Sequence, residues 1–231
     1  MDYTLTEFEI TGRSRSHVHQ FAEPRFAAIA EVGEAFLAMR REALGAGIDM
    51  LPFSTFRDYE TQLRIWNGKF SGKKPLYDID GNVRDFSALT ASEVIDCILN
   101  WSALPGGSRH QWGSEIDVVD GNAMPQGYKP KLLPAEVNTG GIFYPLHQWL
   151  DANMARFGFF RPYKYFQGGM FPEPWHLSYA PISMQVLKQV TPDLLKRVTQ
   201  QADILGKELV LERIDHIYRN HILNIVSPEE Q

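Results

Sequence analysis

The chain has 231 residues, enough for one large domain or two small ones, and at 44% hydrophobic and 22% charged it is not a disordered polymer. A net charge of −5, without a dense Lys/Arg run, weighs against a nucleic-acid-binding surface. The single cysteine, Cys97, excludes an internal disulfide and a thiolate metal cluster.

In chain order, Pro24 to Gly45 reads as a helix, its apolar face carried by Phe26, Ile29, Val32, Phe36 and Met39. Ile48–Phe53 reads as a short strand. Asp58 is placed to cap a helix with Leu63 and Trp66 on its apolar side. Residues 68–86 are rich in Gly, Lys and Asp and read as a long surface loop. Thr90 or Ser92 caps a further helix to about Trp101, with Cys97 as a small core residue. Ile116–Val119 is β-branched and apolar, a buried strand. Residues 121–140 form a Pro/Gly-rich loop, Pro145 opens a helix to about Phe157, and the aromatic stretch Phe157–Tyr165 is placed as a strand. His176–Tyr179 is another short strand, and 181–225 is mostly helical with breaks near Pro192 and Gly206.

This order predicts an α+β fold: a small, mostly antiparallel sheet flanked by helices, with a C-terminal helical extension. The division expected is 1–180 for the main domain and 181–231 for helices packed on the same core.

Chemistry concentrates in two short segments. SRHQWGSEID holds His110 and Asp117, and EPWH holds Glu173 and His176. Two imidazoles and one carboxylate match the three protein ligands of a hydrolytic zinc site, whose fourth position stays open to water. A further carboxylate is needed to take the proton from that water, and Glu173 stands three residues before His176. Spacing alone leaves an ordinary polar contact as an equal reading. Other histidines read as structural or solvated: His147 on a helical face, His17 and His19 in a surface strand or loop, His216 and His221 in the tail. Asp120, before Gly121, reads as a turn residue.

The pattern Ser108-x-His110-x-x-Gly113-x-x-x-Asp117 followed by Glu173-x-x-His176 resembles the paired signature of the LAS metallopeptidases. That group comprises lysostaphin-type enzymes, zinc D-Ala-D-Ala carboxypeptidases and the hedgehog signalling domain. Upstream, Ser54-Thr-Phe-Arg57-Asp-Tyr-Glu-Thr-Gln62 is similar to the S-x-[YF]-R-[ST]-x-x-x-Q segment of the D-alanyl-D-alanine carboxypeptidase branch. The resemblance implies Zn2+ held by His110, Asp117 and His176, with Glu173 as general base. It implies that Arg57 grips a substrate carboxylate or polarises the scissile carbonyl, a task suited to a planar donor fork. Ser108 and Gln62 would add hydrogen bonds near the substrate, and Trp175 would wall the pocket. One position departs from the family pattern: Glu115 stands where a small residue is usual, and if its side chain points inward it needs a partner such as Arg109.

The implied activity is hydrolysis of the D-Ala-D-Ala bond of a peptidoglycan-type stem peptide or precursor. The alternatives are an endopeptidase cutting L-Ala-D-Glu or cross-bridge bonds and a non-catalytic zinc-binding scaffold. No apolar run is long enough to span a membrane, and the N-terminal stretch MDYTLTEFEI lacks the basic start and apolar core of a secretory leader. As written the chain is expected in the cytoplasm. A removed leader would place it in the periplasm or outside the cell.

Overall fold

The computed structural model describes residues 3–231. Met1 and Asp2, where the stretch read for an export signal begins, lie outside the described residues. The chain opens with a single turn, α1 (Glu7–Ile10), closed by a capping box between Thr6 and Glu9. Strands β1 (His19–Phe21) and β2 (Phe26–Ala28) pair antiparallel and precede α2 (Ala30–Gly45). The helix expected from Pro24 therefore starts later. Phe26–Ala28 is buried along its whole length and bonds to β1, so tertiary pairing overrides a helical-looking apolar run. Gly33 lets this hairpin sit tightly on α2, because a Cβ there would come within 2.1 Å of the Phe21 ring.

Strand β3 (Met50–Ser54) leads into α3 (Tyr59–Phe70), whose cap is Asp58, accepting a hydrogen bond from Thr61 N. The following segment is irregular apart from one bridge between Tyr77 and Val83. Helix α4 (Ala91–Leu99) begins at Thr90 with a capping box to Glu93. Strand β4 (Glu115–Asp120) is buried at all six positions. The loop after it contains one helical turn, α5 (Pro134–Val137), before α6 (Tyr144–Asn153). The aromatic strand is shorter than expected, β5 (Phe159–Phe160) alone. Gly158 before it is left-handed, and Pro162 after it cannot donate to a ladder. Strand β6 (His176–Tyr179) is followed by α7 (Ala180–Leu187), α8 (Pro192–Gln201), α9 (Lys207–Glu212) and α10 (Ile214–Ile217).

The second sheet has the order β3-β4-β6-β5, antiparallel throughout, and helices flank it in the α+β arrangement. Side chains alternate across β4. Ile116 and Val118 join the large apolar core with Phe36, Trp66, Ile98 and Leu177, where each buried side chain stabilises by roughly 1.5–3 kcal/mol. Val119 faces the other way, into a smaller cluster with Phe143 and Trp175. Glu115 and Asp117 share that second face with it. Leu195, Val210 and Ile217 of the tail helices belong to the large core, and Trp66 Nε1 donates to Leu205 O at 3.0 Å.

Several residues outside the sheet are also placed. Cys97 is buried and unpaired. Asp120 accepts from the backbone N–H groups of Asp49 and Asn122, a turn role. His147 is buried, and burial, helped by Arg161, holds it neutral with its pKa pushed down to about 3. His221, expected to be solvated, is not, and His17, expected in a surface strand or loop, lies in a loop with its ring turned inward. The His17 ring packs on Phe56 and bonds to Gln111 O, and His221 is buried, its pKa lowered to about 4 chiefly by desolvation.

Candidate active site

Register builds the centre of the site. In the β4–β6 ladder Asp117 lies directly opposite His176, and Glu115 opposite Ser178. Directly paired residues of an antiparallel ladder hold their Cβ atoms about 5 Å apart on the same face. His110 enters from a 3-10 turn, Arg109–Trp112, which ends at left-handed Gly113. Gly113 is needed twice over there: its φ is 73°, and a Cβ would meet Val18 Cγ1 at 2.5 Å. The result is that single ligand atoms of His110, Asp117 and His176 all lie within 4.8 Å of one another, and all three residues are buried.

The polar atoms of this cluster fit a bound cation. His110 Nδ1 lies 2.9 Å from Thr55 O, which fixes its proton there and leaves Nε2 facing Asp117 Oδ2 at 3.3 Å. His176 Nε2 donates to Glu115 Oε2 at 2.8 Å, which leaves its Nδ1 facing Asp117 Oδ1 at 3.0 Å. Neither His176 Nδ1 nor Asp117 Oδ1 has a hydrogen bond of good geometry, and both are fully buried. Unpartnered buried atoms of this kind are costly unless something occupies the space between them. The electrostatics agree. Burial raises the Asp117 carboxyl, yet the adjacent histidines hold it well below the usual carboxylate range. Burial lowers His176, yet the hydrogen bonds and charges of Asp117 and Glu115 raise it well above an ordinary imidazole. Two carboxylates beside the two imidazoles thus favour positive charge at the centre of the cluster.

Glu173 sits one turn before His176. Its Oε2 is 3.7 Å from His176 Nδ1, and desolvation pushes its carboxyl up to about 7. A carboxyl poised near neutrality in a cleft suits proton transfer. Arg57, Ser108, Glu173 and Trp175 line the same cavity as the three ligand-type residues. Arg57 is aimed from behind: Nη1 donates to Gln62 Oε1 and Nη2 to Ser54 Oγ, both at 2.8 Å. Gln62, expected beside the substrate, is fully buried and does not line the cavity. Its other amide atom donates to Ala103 O at 2.7 Å, so it braces Arg57 instead.

Residues 27–182 match the VanY family, D-alanyl-D-alanine carboxypeptidase. The chain belongs to this family. Its relatives include an uncharacterized protein of Haemophilus influenzae, 32% identical over 118 residues, covering 50% of this chain and 90% of that one. A D-alanyl-D-alanine carboxypeptidase of Enterococcus faecalis is 37% identical over 124 residues, covering 51% of this chain and 40% of that one. Among solved structures, VanYB in complex with D-alanine-D-alanine superposes with a TM-score of 0.51 at 20% identity, over 80% of this chain and 89% of that one. A VanY D,D-pentapeptidase mutant in complex with Zn(II) gives 0.51 at 21% identity, over 74% and 84%. These two structures share the VanY fold with this chain. Among the described residues, no helix is long and apolar enough to cross a membrane.

The VanY fold also brings residues to the cavity that the motifs do not mark. Lys69, on the last turn of α3, and Lys131 face it, as do Tyr163, whose ring lies 5.1 Å from that of His176, and Met170. Trp101 stacks on Trp175 with centroids 6.1 Å apart. No sequence signal distinguishes these from ordinary surface lysines and core aromatics. Which way they face follows from how α3 and the loops dock.

Proposed function

We propose that this VanY-family chain is a zinc-dependent carboxypeptidase that hydrolyses the D-Ala-D-Ala bond of peptidoglycan-type stem peptides. The observation that supports it most is the convergence of His110, Asp117 and His176 within 4.8 Å on the cavity that Glu173 and Arg57 also face. The name of the Enterococcus faecalis relative and the dipeptide bound by VanYB agree with this substrate class.

In this reading His110 Nε2, one Asp117 oxygen and His176 Nδ1 hold the ion. A Zn2+ ion held there would supply Lewis-acid polarisation and make water a better nucleophile near neutral pH. Glu173 accepts a proton from the attacking water and returns it to the nitrogen of the leaving D-alanine. Arg57, braced by Gln62 and Ser54, pairs with the terminal carboxylate through its donor fork. Ser108 and Trp175, which line the cavity, would border the peptide.

Glu173→Gln tests the assignment. The variant is expected to keep zinc at the native stoichiometry while D-alanine release from L-Lys-D-Ala-D-Ala, or its diaminopimelate analogue, falls by about 10²–10⁴-fold. Unchanged release would remove Glu173 from the mechanism. An absence of activity in the native chain on any free D-Ala-D-Ala terminus would favour an endopeptidase or a binding scaffold.

A further inference from the structure

The family pattern has a small residue where this chain has Glu115, and the structure turns that side chain inward. It is fully buried and carries four polar contacts: His176 Nε2 at 2.8 Å, Ser114 Oγ at 2.8 Å, Ser178 Oγ at 2.9 Å and Arg109 Nε at 3.3 Å. Arg109 balances its charge and is itself fixed, donating through Nη2 to Ser178 Oγ at 2.7 Å and stacking over Trp112 with its Cζ 4.6 Å from the ring centre. Four donors around one carboxylate leave it no freedom to rotate.

We infer that Glu115 is a positioning residue for the metal centre: its carboxylate fixes the His176 ring with the proton on Nε2 and the Nδ1 lone pair turned toward Asp117. A carboxylate bonded to the far nitrogen of a ligand histidine selects the tautomer and raises the basicity of the ligating nitrogen. His110 obtains its orientation from a backbone carbonyl, Thr55 O, so the two imidazoles are aimed by different means. A neutral acceptor aims one ring. A full negative charge, compensated by the buried Arg109 guanidinium, aims the other. The inference rests on the zinc reading of the site.

The rival role is purely structural, a buried Arg109–Glu115 ion pair that merely packs the sheet. Removing one partner of such a pair destabilises the fold, whereas removing both is often tolerated. The double variant Arg109→Met/Glu115→Ala separates the two roles. The measurements are zinc affinity of the full chain by competition with a chromogenic chelator, thermal unfolding of the metal-free protein, and the His176 tautomer by 15N NMR.

Glu115→Ala is expected to weaken zinc binding by about 10–100-fold. The double variant is expected to regain thermal stability relative to Glu115→Ala but not zinc affinity, and its His176 is expected to populate both tautomers. Glu115→Gln, which keeps an acceptor without the charge, is expected between native and Glu115→Ala. Zinc affinity within about twofold of native in any folded variant lacking the Glu115 carboxylate overturns the inference. If Glu115→Ala does not fold, the double and glutamine variants decide by the same criterion. Failure of the native chain itself to bind zinc overturns the reading of the site, and the inference with it.

Discussion

The two sides of the cleft are built on opposite principles. The ligand side comes from the β4–β6 ladder and a 3-10 turn locked by Gly113. Its side chains are buried, and both imidazoles have a fixed acceptor on the nitrogen facing away from the centre. The facing side comes from the end of α3 and from loops around Tyr77, Lys131 and Met170. Among the described residues neither Lys69 nor Lys131 makes an ion pair. In the zinc reading, metal ligation tolerates little positional error, which suits parts set on sheet register. Lys131 is exposed and Lys69 partly buried, and they stand in a loop and at a helix end, where a charged group of a bound peptide would reach them.

The largest effect is expected on the ligand side. In the zinc reading, His176→Ala removes one of three protein ligands. If the roughly 10–16 kcal/mol of a structural zinc site is shared among its ligands, the loss is about 4 kcal/mol, or about a thousandfold in Kd. Zinc titration of the variant checks this. Retention of one tightly bound zinc would show that the ion is held elsewhere.

Arg57 stands where the two sides meet, and its substitution sharpens the comparison. Arg57→Ala is expected to lower kcat/KM by about 10–100-fold on peptides with a free C-terminal carboxylate, the loss of a charge-assisted pair. C-terminally amidated peptides should be affected far less. Equal losses on both would mean that Arg57 acts on the scissile carbonyl. Gln62 and Ser54 hold the guanidinium at 2.8 Å each, so the side chain is preorganised for either task and kinetics must separate them.

What was legible in the sequence follows the same division. Asp58 and Thr90 were readable as helix caps because a cap is a contact between residues three apart. The strands Ile116–Val119 and His176–Tyr179 were readable because β-branched or apolar runs bracket the ligand-type residues. Glu115 was visible as a departure from the family pattern, and Arg109 as a candidate partner. That it reaches His176 depends on ladder register, which no local pattern encodes. Gln62 was legible as part of a motif, but its place behind Arg57 was not. The β2 strand was hidden in an apolar run that suits a helix equally well. The inward turn of the His17 ring in its loop and the burial of His221 come from distant elements, which leave no mark on neighbouring residues.

Lys69 is the residue whose role this division leaves most open to measurement. Burial pulls its amine down to about 8, with the Glu173 charge acting in the opposite direction. The lysine is therefore charged below pH 8 and loses its charge above it. If it meets a substrate carboxylate, native KM for a diaminopimelate-containing peptide should rise as pH passes through about 8, because the amine then loses its proton. Lys69→Met should raise KM by about three- to tenfold below that pH, flatten the dependence, and leave kcat nearly unchanged. A lysine-containing peptide, which lacks the extra carboxylate, should respond less. If Lys69 acts on Glu173 instead, removing its positive charge raises the carboxyl further, and the acid limb of kcat moves to higher pH with KM unaltered. Identical KM profiles for variant and native on the diaminopimelate peptide would take Lys69 out of substrate recognition and leave the facing side of the cleft to Lys131 and Arg57.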